Sequence, residues 1–257
     1  WKEDCGCSTG GHPGWNQKWR KPLRDALDYL RDEFASLFEQ EGAKYFDNVW
    51  EVRNKYIEVI LDRNEMNVKK FQQENFRPDL SDEDKVKAME LLEIQRQSLL
   101  MYTSCGWFFS EISGIETVQI MKYAARAMQL ASSKNLEEHF LNILAEAKSN
   151  IPEHGTGKDI FERFVKPSIV TTKQIASLWA LSSLYQDFED EESVYCYTIR
   201  KEAYKKVQKG ASTFVVGHIE IQSKITLQKS NVMFALMQYA GGDFHCAIKE
   251  YSDDAEF

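Results

Sequence analysis

The chain has 257 residues, 28% of them charged and 43% hydrophobic, with a formal net charge of −8 and five cysteines. That length can bury a substantial core in one large domain or two smaller ones, with an ordinary globular balance of residue types. The acidic excess without a basic stripe excludes a nucleic-acid backbone as the main partner, and no apolar run approaches the roughly 20 residues that span a bilayer.

The cysteines, at 5, 7, 105, 196 and 246, are scattered and odd in number. They make no disulfide framework and suit a reducing, cytoplasmic setting. The chain opens abruptly on Trp1-Lys2-Glu3-Asp4 and stops at Asp254-Ala255-Glu256-Phe257. The expectation is a piece of a longer protein, cut at both ends.

Residues 5–16 read Cys-Gly-Cys-Ser-Thr-Gly-Gly-His-Pro-Gly-Trp-Asn, a glycine-rich loop that excludes regular helix. A helix follows, with Trp19, Leu23, Ala26, Leu27, Leu30, Phe34, Leu37 and Phe38 on one stripe. A second helix is expected from about Asp47. A third opens at Ser81, which can cap it, and Asp82, Glu83 and Asp84 favour its positive end.

That third helix leads into Met101-Tyr102-Thr103-Ser104-Cys105-Gly106-Trp107-Phe108-Phe109. Gly106 costs about 1 kcal/mol inside a helix relative to alanine, so it predicts a break or a close contact. Ser113-Gly114-Ile115-Glu116 matches a capping box, which leaves the aromatic run on a corner between two helices. Asn135 opens a further helix, and others are expected near 160–165 and 172–185.

After the acidic run 187–192 the period changes to the alternation of strands, through Tyr195, Tyr197 and Ile199 and again over 213–222, 224–227, 232–239 and 244–248. Gly241-Gly242-Asp243 fits a hairpin turn. The expected fold is therefore mainly α: a bundle of about six helices with the glycine loop over 1–186. An acidic linker and a small, incomplete antiparallel β unit follow over 187–257.

Few constellations carry chemistry on their own. Cys5, Cys7 and His12 supply half of a zinc set at an unusual spacing, so reduced thiols in a glycine loop are the default and no metal or other cofactor is expected. Gly10-Gly11-His12-Pro13-Gly14 lacks the lysine of a phosphate loop. Glu111 and Glu116 read as a surface and a capping residue, and no catalytic pair is apparent. The loop at 5–19 and the corner at 103–109 share small residues, thiols and tryptophan. If they meet, they form one wall of an aromatic cleft of the kind sugars stack upon. The plain alternative is a corner plugged by aromatics.

At these two motifs the chain resembles the C-terminal helical region of glycoside hydrolase family 57. It is similar to the uncharacterised domain behind the catalytic barrel in bacterial α-amylase/α-mannosidase-like proteins. The segments that carry the likeness are Cys5 through Arg20 and Leu100 through Phe109, with support from Ser113–Gln119 and Lys122–Ala127. In family 57 branching enzymes the comparable segment reads Ser-Ser-Asp-Trp-Pro-Phe, and its tryptophan lines the cleft. Ser104, Trp107 and Phe109 match it, whereas Cys105, Gly106 and Phe108 depart from it. Asn16 and Trp19 match an upstream Asn-x-x-Trp element.

The resemblance implies a region that completes an α-glucan or mannan substrate cleft with Trp107, Phe109, Ser104, Trp15, Asn16 and Trp19. The family's glutamate nucleophile and aspartate acid/base lie on an N-terminal barrel, and nothing in this chain matches them, so the isolated chain is not expected to be active. The implied partners are an oligosaccharide or polysaccharide and that barrel, with neither nucleic acid nor membrane. From another class, the alternative is a non-catalytic interaction module whose aromatics dock on a neighbouring domain.

Overall fold

A computed structural model describes residues 1–7, 12–132 and 134–251. The chain divides into two compact units, Trp1–Ile169 and Val170–Phe257.

The first unit is helical. Its elements are α1 (Arg20–Gly42), α2 (Val49–Lys55), α3 (Ile57–Leu61), α4 (Glu65–Asn75), α5 (Asp82–Leu100), α6 (Cys105–Phe108), α7 (Ile115–Ala131), α8 (Lys134–Leu144) and α9 (Gly157–Ile160). The apolar stripe of α1 is buried as its spacing requires, with Leu23, Ala26, Leu27, Leu30, Phe34 and Phe38 all inside. Helices α1, α5 and α7 pack on one another, and α8 lies along α1. Ser81 caps α5 in a reciprocal box with Asp84. The helix expected from 47 is instead three pieces, capped at Asn48 and again at Asn64. A wider, π-type turn over Phe161–Val165 continues α9 and sets Phe161 against Phe140, ring centroids 5.5 Å apart.

At its centre α5 buries a charged group. The Glu93 carboxylate accepts from the Tyr56 hydroxyl at 2.6 Å, from the Arg63 guanidinium, and from Arg96 at 3.2 Å. Burial raises the Glu93 pKa, but the Tyr56 hydroxyl and the two cations outweigh it and hold the carboxyl below its ordinary value.

The second unit holds α10 (Thr172–Ser182) and five strands, β1 (Glu191–Val194), β2 (Tyr197–Lys209), β3 (Ser212–Ser223), β4 (Lys229–Gln238) and β5 (Phe244–Glu250). They form one antiparallel meander in the order β1-β2-β3-β4-β5. Along β3 every second residue is buried, including Val215, Ile219 and Ile221. These meet Ile175, Ala176, Trp179 and Ala180 of α10 in a core completed by Ile199, Val232, Phe234 and Leu236. Trp179 stacks on Phe188 at 4.9 Å and meets Phe234 edge-on at 5.7 Å.

This overturns the expectation of a helical bundle with a small, incomplete β unit. The chain is about 50% helical and carries a full five-stranded sheet with its own helix, a substantial α/β architecture. The reason lies in β2, most of which reads Arg-Lys-Glu-Ala-Tyr-Lys-Lys-Val-Gln-Lys over 200–209 and shows no alternation. Its pairing with β3 runs from Tyr197 opposite Ser223 to Lys209 opposite Ser212 and imposes the strand. The acidic run also pairs: Glu191 meets Arg200 at 2.9 Å and Asp190 meets Lys201 at 3.1 Å. Residues 224–227, read as a strand, form a turn.

Candidate functional site

The corner between α5 and α7 is built by two short turns. The Tyr102 and Thr103 amides donate back to the carbonyls of Leu99 and Leu100, and the Gly106 and Trp107 amides to those of Thr103 and Ser104. Helix α7 presses directly on this corner. A Cβ at Gly106 would lie 2.4 Å from Ile120 Cγ2, so only glycine permits the approach. The Thr117 hydroxyl locks it by donating to the Gly106 carbonyl at 2.8 Å. The box expected at Ser113 does not form: Gly114 is the N-cap of α7 and has no side-chain bond.

Trp107 points inward. It is 3% exposed, and its Nε1 donates to the Met101 carbonyl at 3.2 Å. Its ring lies parallel to Tyr102, centroids 6.4 Å apart, and the Arg24 guanidinium sits over both. The Tyr102 hydroxyl donates to Asp28 at 2.7 Å, where Arg24 and Arg31 also donate, each at 2.9 Å. Burial, then the bond to Asp28, pushes the Tyr102 phenol up.

Phe108 and Phe109 point outward. Phe109 is 39% exposed, its ring 4.1 Å from that of Phe108, which in turn lies 5.7 Å from the exposed Trp1. The corner and the N-terminal segment therefore do meet. Three successive carbonyls are the joint. Arg20 Nη2 donates to the Phe108 and Phe109 carbonyls at 3.2 and 3.5 Å. Trp19 Nε1 donates to the Ser110 carbonyl at 3.2 Å, and Asn150 Nδ2 donates to the same oxygen at 2.8 Å.

Asn150 also fixes Asn16. Its amide group donates to the Asn16 carbonyl at 2.8 Å, and its Oδ1 accepts from the Asn16 amide at 3.1 Å. Beside it Trp15, half-buried, stacks against His12 at 4.1 Å. Glu111 anchors the loop that carries Asn150. It accepts from the Ser149 hydroxyl at 2.6 Å, the Asn150 amide at 2.8 Å and the Ser113 amide at 3.0 Å, and it is buried rather than on the surface.

Of the residues selected from sequence, Ser104, Asn16 and Phe109 are exposed, Trp15 is half-buried, and Trp107 and Trp19 are interior, Trp19 at 1% exposure. Arg20, Asn150, Glu111, Phe108 and Trp1 complete the arrangement without having been selected. Arginine at the start of a helix and a polar loop at 150–158 carry no distinguishing signal. Only the run of unpaired carbonyls expected after a broken helix hints that donors must come from elsewhere.

Cys5 and Cys7 are exposed free thiols. Hydrogen bonds from Cys7, and more weakly Arg20, hold the Cys5 thiol below its ordinary value, and the Cys5 sulfur pushes Cys7 up. Among the described residues no group of three or more His, Cys, Asp or Glu is placed to hold a metal ion, so Cys5, Cys7 and His12 are not gathered as a ligand set. Among the same residues no helix is long and apolar enough to cross a membrane.

Chemically, the face offers two phenylalanine rings, two tryptophans and the exposed polar side chains of Asn16 and Ser104. Its buried carboxylate, Glu111, is occupied by bonds within the chain. Residues 15–257 match the model of a family described as a domain of unknown function, DUF3536. No curated protein matches the chain, and no solved structure does.

Proposed function

The chain belongs to the DUF3536 family, and we propose that it is the C-terminal region of a glycoside hydrolase family 57-like carbohydrate-active enzyme. In that role it completes a cleft for an α-glucan or mannan. The resemblance of the Cys5–Arg20 and Leu100–Phe109 segments suggests the class, and one observation carries the reading. The two segments are joined through the carbonyls of Phe108, Phe109 and Ser110, which leaves Phe108, Phe109 and Trp1 exposed and Trp15 half-buried.

Aromatic faces stack on the apolar faces of pyranose rings, and neighbouring polar groups bond the hydroxyls. Phe109, Trp15, Ser104 and Asn16 are the proposed contacts. Trp107 and Trp19 act one layer deeper, holding the corner and the N-terminal segment in place. No acid–base pair is assigned to this chain. Retaining hydrolysis needs two carboxyl groups roughly 5 Å apart across the scissile bond, and an N-terminal barrel would supply them.

The parent enzyme bearing Phe109→Ala tests this. Turnover of maltooligosaccharides or mannooligosaccharides is expected to fall, chiefly through a higher KM, with the melting temperature unchanged. Unaltered kinetics on both series would sink the proposal. The same exposed rings also suit the alternative of docking on a neighbouring domain. In that case Phe109→Ala weakens association of the chain with the barrel and leaves KM alone.

A further inference from the structure

The N-terminal turn carries chemistry of its own. Cys5, Gly6 and Cys7 fold back on one another: the Cys7 amide donates to Cys5 Sγ at 3.4 Å, and the Cys7 thiol donates to the Cys5 carbonyl at 3.7 Å. Asp4 steadies the turn by accepting from the Gly6 amide at 3.0 Å. Gly6 has φ +66°, the left-handed region that favours glycine, and this brings the second cysteine back towards the first.

Beneath the turn lies Arg20, only 2% exposed. Its Nη1 donates to Cys5 Sγ at 3.6 Å, Nη2 is spent on the Phe108 and Phe109 carbonyls, and Nε is buried with no partner among the described residues. Among those residues no carboxylate forms an ion pair with it. A buried cation lacking a counter-ion favours negative charge on whatever acceptor it reaches, and here that acceptor is a sulfur. The other free thiols, at 105, 196 and 246, have no second cysteine two residues away.

We propose that Cys5-Gly6-Cys7 is a reversible dithiol–disulfide site that exchanges with low-molecular-weight disulfides, Cys5 attacking and Cys7 resolving. The Cys5 thiolate attacks one sulfur of the disulfide RSSR. The S–S bond breaks, a Cys5–S–S–R mixed disulfide forms, and the departing RS⁻ takes a proton from water. Cys7 then loses its proton to solvent and attacks Cys5 Sγ, expelling the second RS⁻, which is protonated in turn. Two protein thiols are oxidised to one disulfide while RSSR is reduced to two thiols. This does not depend on the carbohydrate reading.

Oxidised glutathione added to the full folded chain is the probe, followed by intact mass and peptide mapping. The expected result is the loss of two of the five thiols, with the bridge mapped to Cys5–Cys7 and reversed by dithiothreitol. Cys7→Ser should instead accumulate a stable glutathione adduct on Cys5, and Cys5→Ser should leave Cys7 several-fold less reactive. Three results would overturn the proposal: a persistent adduct on the wild-type chain without bridge formation, first attack by Cys7, or modification of Cys105 as fast as Cys5.

Discussion

In the sheet unit the interior is apolar. Trp179, Val215, Ile219 and Phe234 fill it, and the buried polar groups among the described residues are hydroxyls such as Thr213 and Ser223. In the helical unit Arg20, Glu93 and Glu111 are buried together with Gln17 and Gln95. The cause is how each unit satisfies its backbone. A meander bonds its strands ladder to ladder, so one helix can cover it with side chains alone. Helices that end at corners leave carbonyls unpaired, and those at 108, 109 and 110 draw in Arg20, Trp19 and Asn150. The polar joints that stabilise the helical unit are also what hold its exposed aromatics in position.

Perturbing the two interiors should therefore give different signatures. The largest losses are expected from the apolar anchors. Trp179→Ala and Trp107→Ala should each cost about 3–5 kcal/mol in urea unfolding. Only Trp107→Ala should also disturb the rings of Phe108 and Phe109. Equal effects of both on the near-ultraviolet dichroism of the corner would break the contrast.

Glu93→Ala should cost a comparable amount, about 3–5 kcal/mol, because it leaves Arg63 and Arg96 beside a buried gap. It also carries a pH signature that the sheet core lacks. The folded Glu93 carboxyl titrates below its ordinary value of 4.5. Its contribution is fully present above pH 4.5 and is lost as pH falls from there through the depressed folded value. The free energy of unfolding measured across that acid range should fall steeply with decreasing pH for the native chain and more gently for Glu93→Gln. Parallel slopes would remove Glu93 from the account.

A smaller loss, about 1–3 kcal/mol, is expected for Gly106→Ala, since the added methyl meets Ile120. Gly106→Ala combined with Ile120→Ala should cost less than the sum of the two single changes, and strict additivity would deny the contact. The smallest stability change belongs to Phe109→Ala, within about 0.5 kcal/mol for an exposed side chain. A large destabilisation would mean that Phe109 packs rather than waits for a ligand.

The parts legible in the sequence are those whose signal is local. The α1 stripe from Leu23 to Phe38, the cap at Ser81, and the alternation of β3 are all present as read. Gly106 marked a close contact, and it is one. The box at Ser113–Glu116 misled, because Gly114 caps α7 without it and Glu111 is drawn inward to Ser149 and Asn150, 38 and 39 residues away. Of the candidate site, residue types were readable, but neither the joining of the two segments nor the direction of each side chain was. Trp107 and Phe109 sit two residues apart on one corner, one inside and one outside.

By itself the sequence determined the helix stripes, the cap at Ser81 and the change to strand periodicity, since each depends on spacing within a few residues. Tertiary structure alone decided that the polar run 200–209 is a strand, because β3 supplies its ladder. It alone turned Trp107 towards the Met101 carbonyl and left Phe109 outward, with α7 packed directly on the neighbouring Gly106. It also set Arg20 under Cys5. Bonds between residues far apart in the chain exist only once the helices have packed, and no local pattern encodes them.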